Sequence, residues 1–345
     1  MRGTVRVSPG NYAAGSRGMP VASIVVPCYN EQPTICLLLE AVYNQTYPRE
    51  QMEVIVADGG SSDGTREAIR GFCEAHPDLR IRVVENPQRI IPAALNRAIA
   101  AAGGKFIVRL DAHSAPQPDY VARCVAALEA GLGTSVGGVW DIRSGNSSWM
   151  ARAIAAAAAH PLGVGDARYR YTTRAGSVDT VPFGAFPRAL IDQMGPFDET
   201  LLTNEDYEFN TRIRRRGGTI WLDPQIRSVY FARSDLGALA RQYWRYGYWK
   251  VRMLRRYPGS IRWRQALPPV FVLSLLGLAA GAVFSPAFRW LLAGELGVYA
   301  GVLLVAGFLS SLQRMDFAYL LGLPLAIAVM HLFWGSGFLW SLVRK

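Results

Sequence analysis

The chain has 345 residues, half of them hydrophobic, with 37 basic and 26 acidic side chains. This composition excludes a disordered chain and is sufficient for a sizeable core. The formal net charge of +11 indicates an anionic partner: nucleic acid, a phosphorylated substrate or the cytoplasmic face of a membrane. Four widely spaced cysteines match neither a zinc site nor a disulfide framework, so we expect reduced thiols. Residues 1–20 lack an apolar segment, which predicts a loose tail and not a signal peptide.

Short runs rich in Val and Ile alternate with amphipathic segments over residues 21–237. Runs of this kind predict buried strands, and the segments between them predict helices. The alternation predicts an α/β domain with a mostly parallel, doubly wound sheet, in which ligands bind beyond the carboxyl ends of the strands. The runs cover residues 21–26, 53–57, 81–84 and 105–110; PCYNE (27–31), DGGSSDGT (58–65) and DAHS (111–114) follow the first, second and fourth of them.

Three carboxylates stand at these predicted strand ends: Glu31, Asp58 and Asp111. Carboxylates accept hydrogen bonds from ribose hydroxyls and base N–H groups, but they repel phosphate unless a cation intervenes. A nucleotide with a divalent metal ion satisfies both conditions. The chain has no GxxxxGK[ST] loop, and no GxGxxG follows the first strand, which disfavours a kinase or a nicotinamide dehydrogenase.

For the segment that contains Asp111 and His113, a simpler interpretation is open. VRLDAHSAP (108–116) also fits a strand end closed by an Asx-type turn, with His113 exposed and without a ligand.

The segment 201–218, LLTNEDYEFNTRIRRRGG, predicts a helix with Asn204 as its N-cap and basic residues in its last turn. Glu205 and Asp206 fall in the first turn. Two interpretations are open: acids that suit a helix N-terminus, or a second carboxylate site.

The composition changes abruptly near residue 266, where three apolar stretches begin, at 266–286, 290–312 and 317–342. Each is close to the roughly 20 residues that cross a bilayer. We therefore predict a membrane domain over residues 265–345 with about three transmembrane helices.

The region 238–264 lies just before these stretches. Residues 241–264 within it hold eight Arg or Lys, many Trp and Tyr, and no acid. This composition predicts an interface region that binds anionic membrane lipids, and not nucleic acid. The positive-inside rule then places the preceding residues in the cytoplasm. Three crossings would place the C-terminal end outside the cytoplasm. The basic residues of the final VRK argue against that position.

Six segments occur in the order found in inverting glycosyltransferases of family 2. Over residues 21–250 the chain resembles that family, and most closely the bacterial membrane-associated branch that builds exopolysaccharide repeat units, such as the succinoglycan glucosyltransferase type. The resemblance implies a GT-A fold with a Rossmann-like sheet, a nucleotide-sugar donor and a divalent metal ion, Mn²⁺ or Mg²⁺. The segments are SIVVPCYNE, VIVADGGSSDGT, ALNRAIAAAGGKFIVRLDAH, FGAFPRALIDQMGPFDE, NEDYEFNTRIRRRG and QYWRYG.

The resemblance places Pro27, Tyr29 and Glu31 in the segment that lines the donor nucleotide. It implies that Asp58, the first acid of the family's D-D-G-S motif, contacts the base. The second acid of that motif is Gly59 here, so only one contact carries over.

Asp111 and His113 occupy the outer positions of the family's D-x-D motif. The resemblance implies that Asp111 approaches the ribose and diphosphate and that His113 ligates the metal. Imidazole in place of a hard oxygen ligand shifts the expected preference from Mg²⁺ towards Mn²⁺. Asp206 matches the family's general base, with Glu205 as its neighbour in the acceptor pocket.

Two further motifs imply contacts with the acceptor or the leaving diphosphate. Gln242, Arg245 and Tyr246 stand where related synthases have Q-x-x-R-W, although Arg245 also suits a lipid-facing cation. Phe183 and Gly184 open FGAF (183–186), which lies under the acceptor sugar in the family and otherwise fits a turn with core phenylalanines.

The sequence thus predicts a membrane-anchored inverting enzyme with a cytoplasmic catalytic domain at a bacterial inner membrane. We expect it to transfer a hexose from a nucleotide sugar, UDP-linked, to a polyprenyl-diphosphate-linked saccharide in exopolysaccharide or cell-surface glycan synthesis. Two alternatives stay open: a processive polysaccharide synthase, and a catalytically silent membrane scaffold or nucleotide-sugar sensor. Three crossings provide little material for the export channel of a processive synthase.

Overall fold

A computed structural model describes residues 19–344 and divides the chain into two compact units. The first unit runs to Asp141 and resumes over Thr172–Tyr230; the second holds Ile142–Tyr171 and the chain from Phe231 onward. Most of the predicted N-terminal tail lies outside the described residues. All four cysteines are free, as predicted, and three of them are buried.

The sheet of the first unit combines a parallel half with an antiparallel half. Within residues 19–344 its nine strands have the order β3-β2-β1-β4-β8-β6-β9-β5, and β7 pairs with β9. Strands β1 to β4 are parallel, whereas β8 pairs antiparallel with β4 and β6, and β9 does so with β5 and β7. The strands are β1 Ala22–Cys28, β2 Met52–Asp58, β3 Arg80–Glu85, β4 Phe106–Arg109, β5 Ala115–Pro116, β6 Ser135–Ser144, β7 Gly176–Ser177, β8 Ala185–Pro187 and β9 Ile220–Ala232.

Both faces of the parallel half are covered by helices, which explains the continuous apolar runs of its strands. Ile24 and Val26 of β1 belong to a buried cluster with Leu38 and Phe72. Val25 between them is equally buried, and since successive side chains point to opposite faces, it serves the other face. The helices that cover this unit are α1 Ile35–Tyr43, α2 Thr65–Ala75, α3 Ile91–Ala101, α4 Tyr120–Glu129, α7 Leu190–Met194 and α8 Glu205–Arg215.

The second unit is helical. Three of its helices are long and apolar enough to cross a membrane, and they match the three predicted stretches. The predicted interface region forms a long helix, α9, whose first turn is capped by the Asp235 carboxylate, 2.8 Å from the Ala238 nitrogen. The helices are α5 Trp149–Ala159, α6 Pro161–Val164, α9 Leu236–Arg256, α10 Trp263–Phe284, α11 Pro286–Arg314 and α12 Ala318–Val343.

The segment 142–171 differs from the prediction, which placed it inside the α/β domain. In the structure it belongs to the second unit. The reason is its helix α5, WMARAIAAAAA, whose alanine-rich surface packs closely on α12.

Two glycines provide a matched test of the packing in the first unit. Gly138 in β6 leaves no space for a side chain, because an added Cβ would collide with the carbonyl of Ile226 in the neighbouring strand β9. Gly71 in α2 has open space around the same position. We expect Gly138→Ala to destabilise the protein by about 1–3 kcal/mol. Gly71→Ala should stabilise the exposed helix by roughly 0.5–1 kcal/mol.

Thermal unfolding of both variants in detergent measures these changes. A melting temperature of Gly138→Ala equal to that of the parent protein would contradict the close approach of β6 and β9.

Candidate functional site

The parallel strands bring three predicted site residues to one edge of the sheet. β1 lies between β2 and β4, and all three run in the same direction. Their carboxyl ends therefore open on the same edge, and the residues at and after these ends include Glu31, Asp58 and Asp111. Pro27 lies within β1, in register with Ala57 of β2.

Glu31 and His113, which follow different strands, are in direct contact. The Nδ1 atom of His113 lies 3.0 Å from Oε1 of Glu31, and the Thr34 hydroxyl donates to the other carboxylate oxygen at 2.6 Å. Burial alone would raise the pKa of Glu31, but the hydrogen bonds from His113 and Thr34 outweigh it and hold the pKa below its usual value. A carboxylate at Nδ1 favours the tautomer that carries its proton there, with the lone pair on Nε2. That arrangement is common for histidines that bind metals.

Asp58 organises the loop that follows β2. Its carboxylate has no exposed surface and accepts hydrogen bonds from the backbone of Gly60 at 3.1 Å and from the Ser61 hydroxyl at 2.5 Å. Arg66 pairs with it at 2.5 Å and extends to Glu85 at 2.8 Å. The carboxylate is thus held by its own loop, and its contact with a base stays a prediction.

Tyr29 forms an exposed aromatic wall beside this loop. Its ring packs over Gly59, where an added Cβ would lie 2.9 Å from the ring. A side chain at position 59 would therefore require the Tyr29 ring to move. The guanidinium of Arg89, in the loop after β3, lies 5.4 Å from the centre of the Tyr29 ring. Arg89 belongs to the polar run NPQR (86–89) after β3, which matches none of the six family segments.

Arg109 joins the two predicted carboxylate sites. It ends β4, and its side chain is only 5% exposed. One guanidinium nitrogen lies 3.1 Å from Oδ1 of Asp111 and 3.0 Å from Oε1 of Glu205, and another pairs with Asp206. Burial alone would lower the pKa of Arg109, but the charges of Asp111 and Glu205 hold it above its usual value. One buried cation therefore binds three carboxylates from two motifs that are 95 residues apart in sequence.

The sequence analysis missed Arg109 because it took VRL as the apolar end of a strand. A basic residue inside that run, two positions before an acid, was the available signal.

The helix α8 begins at Glu205, as predicted, and presents its first-turn acids to Arg109. Asn204 precedes it, but its side chain makes no capping hydrogen bond because its backbone is left-handed, with φ of 70°. The two acids differ in access: the Glu205 side chain is 9% exposed and that of Asp206 is 31% exposed. Only Asp206 thus offers substantial surface to an incoming molecule.

Phe183 and Gly184 lie beside the end of β4. The nitrogen of Arg109 donates to the Gly184 carbonyl at 3.4 Å. The Phe183 ring is buried near Trp140, with 5.8 Å between ring centres, and the Phe183 carbonyl accepts a hydrogen bond from Tyr120 at 3.3 Å. The backbone of this motif is therefore close to the cluster, and the Phe183 ring belongs to the core.

Gln242, Arg245 and Tyr246 lie on α9 in the second unit. The Gln242 side chain donates to the Tyr246 hydroxyl at 2.9 Å, one helical turn away. Their predicted contact with the acceptor or the diphosphate stays a prediction.

The residues of the first unit fit a metal ion that arrives with a diphosphate. Within residues 19–344, no group of three or more His, Cys, Asp or Glu side chains is arranged to hold a metal ion. Asp111 and His113 are both accessible, with side chains 22% and 49% exposed. Mg²⁺ is commonly bound by one or two carboxylates together with substrate phosphates, so a short protein ligand set suits this chemistry.

Comparison with known proteins identifies the family. The sequence model described as glycosyl transferase family 2 matches residues 23–195. Succinoglycan biosynthesis protein ExoA of Rhizobium meliloti (strain 1021) is 33% identical over 320 residues, which cover 91% of this chain and 93% of that protein. The chain belongs to glycosyltransferase family 2. It is therefore a glycosyltransferase, as the six motifs predict.

One further relative and one solved structure are also similar to this chain. A dolichyl N-acetyl-alpha-D-glucosaminyl phosphate 3-beta-D-2,3-diacetamido-2,3-dideoxy-beta-D-glucuronosyltransferase of Methanococcus voltae is 29% identical, over 75% of this chain and 81% of that protein. The mannosyltransferase PcManGT of Pyrobaculum calidifontis, solved in complex with GDP-Man and Mn²⁺, superposes with a TM-score of 0.66 at 23% identity, covering 100% of this chain and 92% of that one. The superposition confirms the predicted GT-A fold.

Replacement of Arg109 tests the buried cluster. In Arg109→Gln, three carboxylates lose their shared cation, and removing one partner of a buried ion pair typically costs about 3–5 kcal/mol. Arg109→Lys keeps the charge but loses the planar fork, so we expect a smaller loss. Urea unfolding in detergent measures both variants.

The double variant Arg109→Gln/Asp206→Asn serves as the control, because it also removes the charge of one of the three carboxylates that lose their cation. Its loss of stability should be smaller than that of Arg109→Gln alone. Equal or greater loss would show that the ion cluster does not determine the effect.

Proposed function

We propose that this glycosyltransferase moves a hexose, with inversion, from a UDP-sugar to a polyprenyl-diphosphate-linked saccharide in exopolysaccharide or other cell-surface glycan synthesis. The similarity to the succinoglycan biosynthesis protein over most of both chains supports the biosynthetic context. The three apolar helices support a lipid-linked acceptor, because they hold the enzyme where such a substrate resides. The Arg109 cluster carries the proposal, since it joins a donor-side acid to an acceptor-side base.

On the donor side, Asp111 and His113 would hold a divalent metal ion that arrives with the donor diphosphate. The metal, when bound, neutralises the charge that develops on the departing nucleotide. Glu31 fixes the orientation of His113 through the 3.0 Å hydrogen bond. Pro27, Tyr29 and Asp58 line the nucleotide, with Tyr29 offering its exposed ring to the base.

On the acceptor side, Asp206 takes the proton of the attacking hydroxyl. Direct displacement at an anomeric carbon needs one such base. Asp206 suits this role better than Glu205 because its side chain is three times more exposed, at 31% against 9%. Arg109 pairs with Asp206 in the resting enzyme, while Glu205 shares the same cation and holds the guanidinium in place.

The remaining motifs complete the acceptor side of the proposal. Phe183 and Gly184 form the floor beneath the acceptor sugar through their backbone. Gln242, Arg245 and Tyr246 contribute to the acceptor or leaving-group region, with Arg245 offsetting pyrophosphate charge.

The enzyme is proposed to be a multi-pass protein of a bacterial inner membrane with its catalytic domain in the cytoplasm. The basic helix α9 supports this orientation, since cationic and aromatic residues next to apolar helices bind the anionic cytoplasmic leaflet. Its partners are then the nucleotide sugar, the lipid-linked acceptor and membrane lipids, and not nucleic acid.

Asp206→Asn tests the base. The variant should bind the donor as the parent does but lose transfer, and removal of a general base typically costs about 10²–10⁴-fold in rate. Donor binding is measured as a thermal shift with UDP-, GDP- and dTDP-sugars and Mn²⁺, because a ligand of the folded state raises its apparent stability. Asp192→Asn is the matched control, since Asp192 lies in the first turn of the short helix α7.

Normal transfer by Asp206→Asn would show that another group is the base. No thermal shift with any nucleotide sugar and any divalent metal would exclude the enzymatic function altogether.

His113→Ala and His113→Asp test the metal ligand. His113→Ala should weaken Mn²⁺ binding in the presence of the nucleotide diphosphate. His113→Asp restores an oxygen ligand and should shift the preference towards Mg²⁺. Mn²⁺ binding is followed by electron paramagnetic resonance, with and without UDP. If His113→Ala binds Mn²⁺ as tightly as the parent, His113 is not a ligand.

A further inference from the structure

The three apolar helices of the second unit are not equivalent. In their most apolar 18-residue segments, only 11% of α10 and 17% of α11 is buried, against 44% of α12. Helices that cross a bilayer in a small bundle expose most of their surface to lipid, as α10 and α11 do. The buried face of α12 therefore raises the question of what covers it.

The N-terminal end of α12 is covered by α5. Arg152 of α5 pairs with Asp316, just before α12, with 2.8 Å between the nitrogen and the carboxylate oxygen. One turn into α12, Gly322 lies so close to Ala153 that an added Cβ would come within 2.5 Å of the alanine side chain. The helix α5 has 11 residues, about half the number needed to cross a bilayer.

The middle of α12 is covered by α6 on one side and contacts α11 on another, where the Tyr299 hydroxyl lies 3.0 Å from Nδ1 of His331. Nε2 of His331 lies 2.9 Å from the carbonyl oxygen of Leu162, and Gly163 abuts the Met330 side chain. The segment 142–171 leaves the first unit and returns to it, and neither of its helices is long enough to cross. The chain therefore enters and leaves the segment of α5 and α6 on the same side of the membrane.

The C-terminal end of α12 is covered by α9. The Gly337 backbone lies against the carbonyl of Trp244, and the Arg255 guanidinium donates to the Ser341 carbonyl at 3.0 Å. α9 follows the first unit directly, with no apolar helix between them. Its charged residues are all basic: Arg241, Arg245, Lys250, Arg252, Arg255 and Arg256.

The start of α10 packs against the C-terminal half of α12. The indole nitrogen of Trp334 donates to the Gln265 carbonyl at 3.1 Å, and Gly335 abuts the carbonyl of Pro268. The beginning of the first apolar helix and the C-terminal half of the last one are thus neighbours.

We infer that α10 and α11 alone cross the bilayer, as a hairpin, and that α12 lies in the cytoplasmic leaflet on a platform made of α5, α6 and α9. Both ends of α12 contact segments that stay on the side of the first unit. If α12 crossed, either Arg152 with α5 or the basic end of α9 would have to pass through the hydrocarbon. Placing an Arg at the centre of a bilayer is energetically costly.

The partner of the free face of α12 is the acyl region of that leaflet. This face is apolar and exposed, as are most side chains of α10 and α11. A helix that is packed on one side and apolar on the other suits an interfacial position, with the exposed cations Arg241 and Arg256 of α9 at the anionic headgroups. The lengths of α10 and α11, 22 and 29 residues, span about 33 and 43 Å, enough for a hydrocarbon core of about 30 Å. The exposed apolar residues of α12 include Leu321, Leu325, Phe333, Trp340 and Leu342.

Thiol labelling from one side of the membrane tests this topology. The exposed native thiol of Cys36, on α1, marks the side of the first unit. In a Cys36→Ser background, Ala287→Cys places a thiol at the turn between α10 and α11, and Val343→Cys places one at the end of α12. A membrane-impermeant maleimide is applied to intact spheroplasts and to inverted vesicles.

We expect Val343→Cys to be labelled from the same side as Cys36, and Ala287→Cys from the opposite side. Labelling of Val343→Cys together with Ala287→Cys would show that α12 crosses. Labelling of all three positions from one side would show that α10 and α11 form no spanning hairpin. Both substitutions are at exposed positions, and a thermal-melting temperature equal to the parent's verifies folding.

The result does not depend on the proposed transfer reaction. Donor-induced thermal shifts, measured on the same membranes after solubilisation, separate failure of the topology from failure of the enzymatic function.

Discussion

The candidate active-site edge of this glycosyltransferase depends on one buried cation. Arg109 is almost fully removed from solvent, and an isolated charge in that position would be costly. Three carboxylates compensate it: one in the loop after β4 and two at the start of α8. Arg109 in turn stabilises the three carboxylates, because without a cation they would repel one another and take up protons. The end of β4 and the start of α8 are therefore stabilised by the same ion pairs, although they are far apart in the chain.

This mutual dependence constrains how the two halves of the site are built. β4 is the point where the parallel half of the sheet meets the antiparallel half, since it pairs with β1 on one side and β8 on the other. Arg109 at its end faces the donor motif next in the chain and also reaches α8. Arg212 anchors α8 from its other end, pairing with the buried Glu208 at 2.6 Å and donating to the carbonyl of Met194. The acids are therefore held at a fixed place by ion pairs on both sides of the helix.

The parallel half of the fold could be predicted because burial on both faces leaves uninterrupted Val and Ile runs in β1, β2 and β4. The antiparallel half could not, because β5, β7 and β8 have only two or three residues and carry no periodic pattern. The strand-end rule correctly gathered Glu31, Asp58 and Asp111 at one edge. The same rule does not identify Arg109, because the carboxylates that pair with this buried cation come near it only in the folded chain.

The second unit shows a different limit of sequence analysis. Length and hydropathy predict where α10, α11 and α12 are, but they are the same for a helix that crosses a bilayer and one that packs on a platform. The difference lies in which surface is covered. For α12 the covering elements are α5, α6 and α9, and the alanine-rich α5 segment, WMARAIAAAAA, has no sequence signal that distinguishes the two units.

The two departures from the family motifs at the donor edge have compensating physical causes. At position 59, where the family has an acid, the Tyr29 ring occupies the space that a side chain would need. His113 replaces a second acid, which removes one negative charge from the proposed metal position. The Glu31 carboxylate behind Nδ1 returns that charge, since a histidine bonded to a carboxylate is a more basic ligand than imidazole alone. The hydrogen bonds that hold the pKa of Glu31 below its usual value keep it ionised. The His113 and Glu31 pair thus presents to a cation a nitrogen ligand with the net charge of the acid that it replaces.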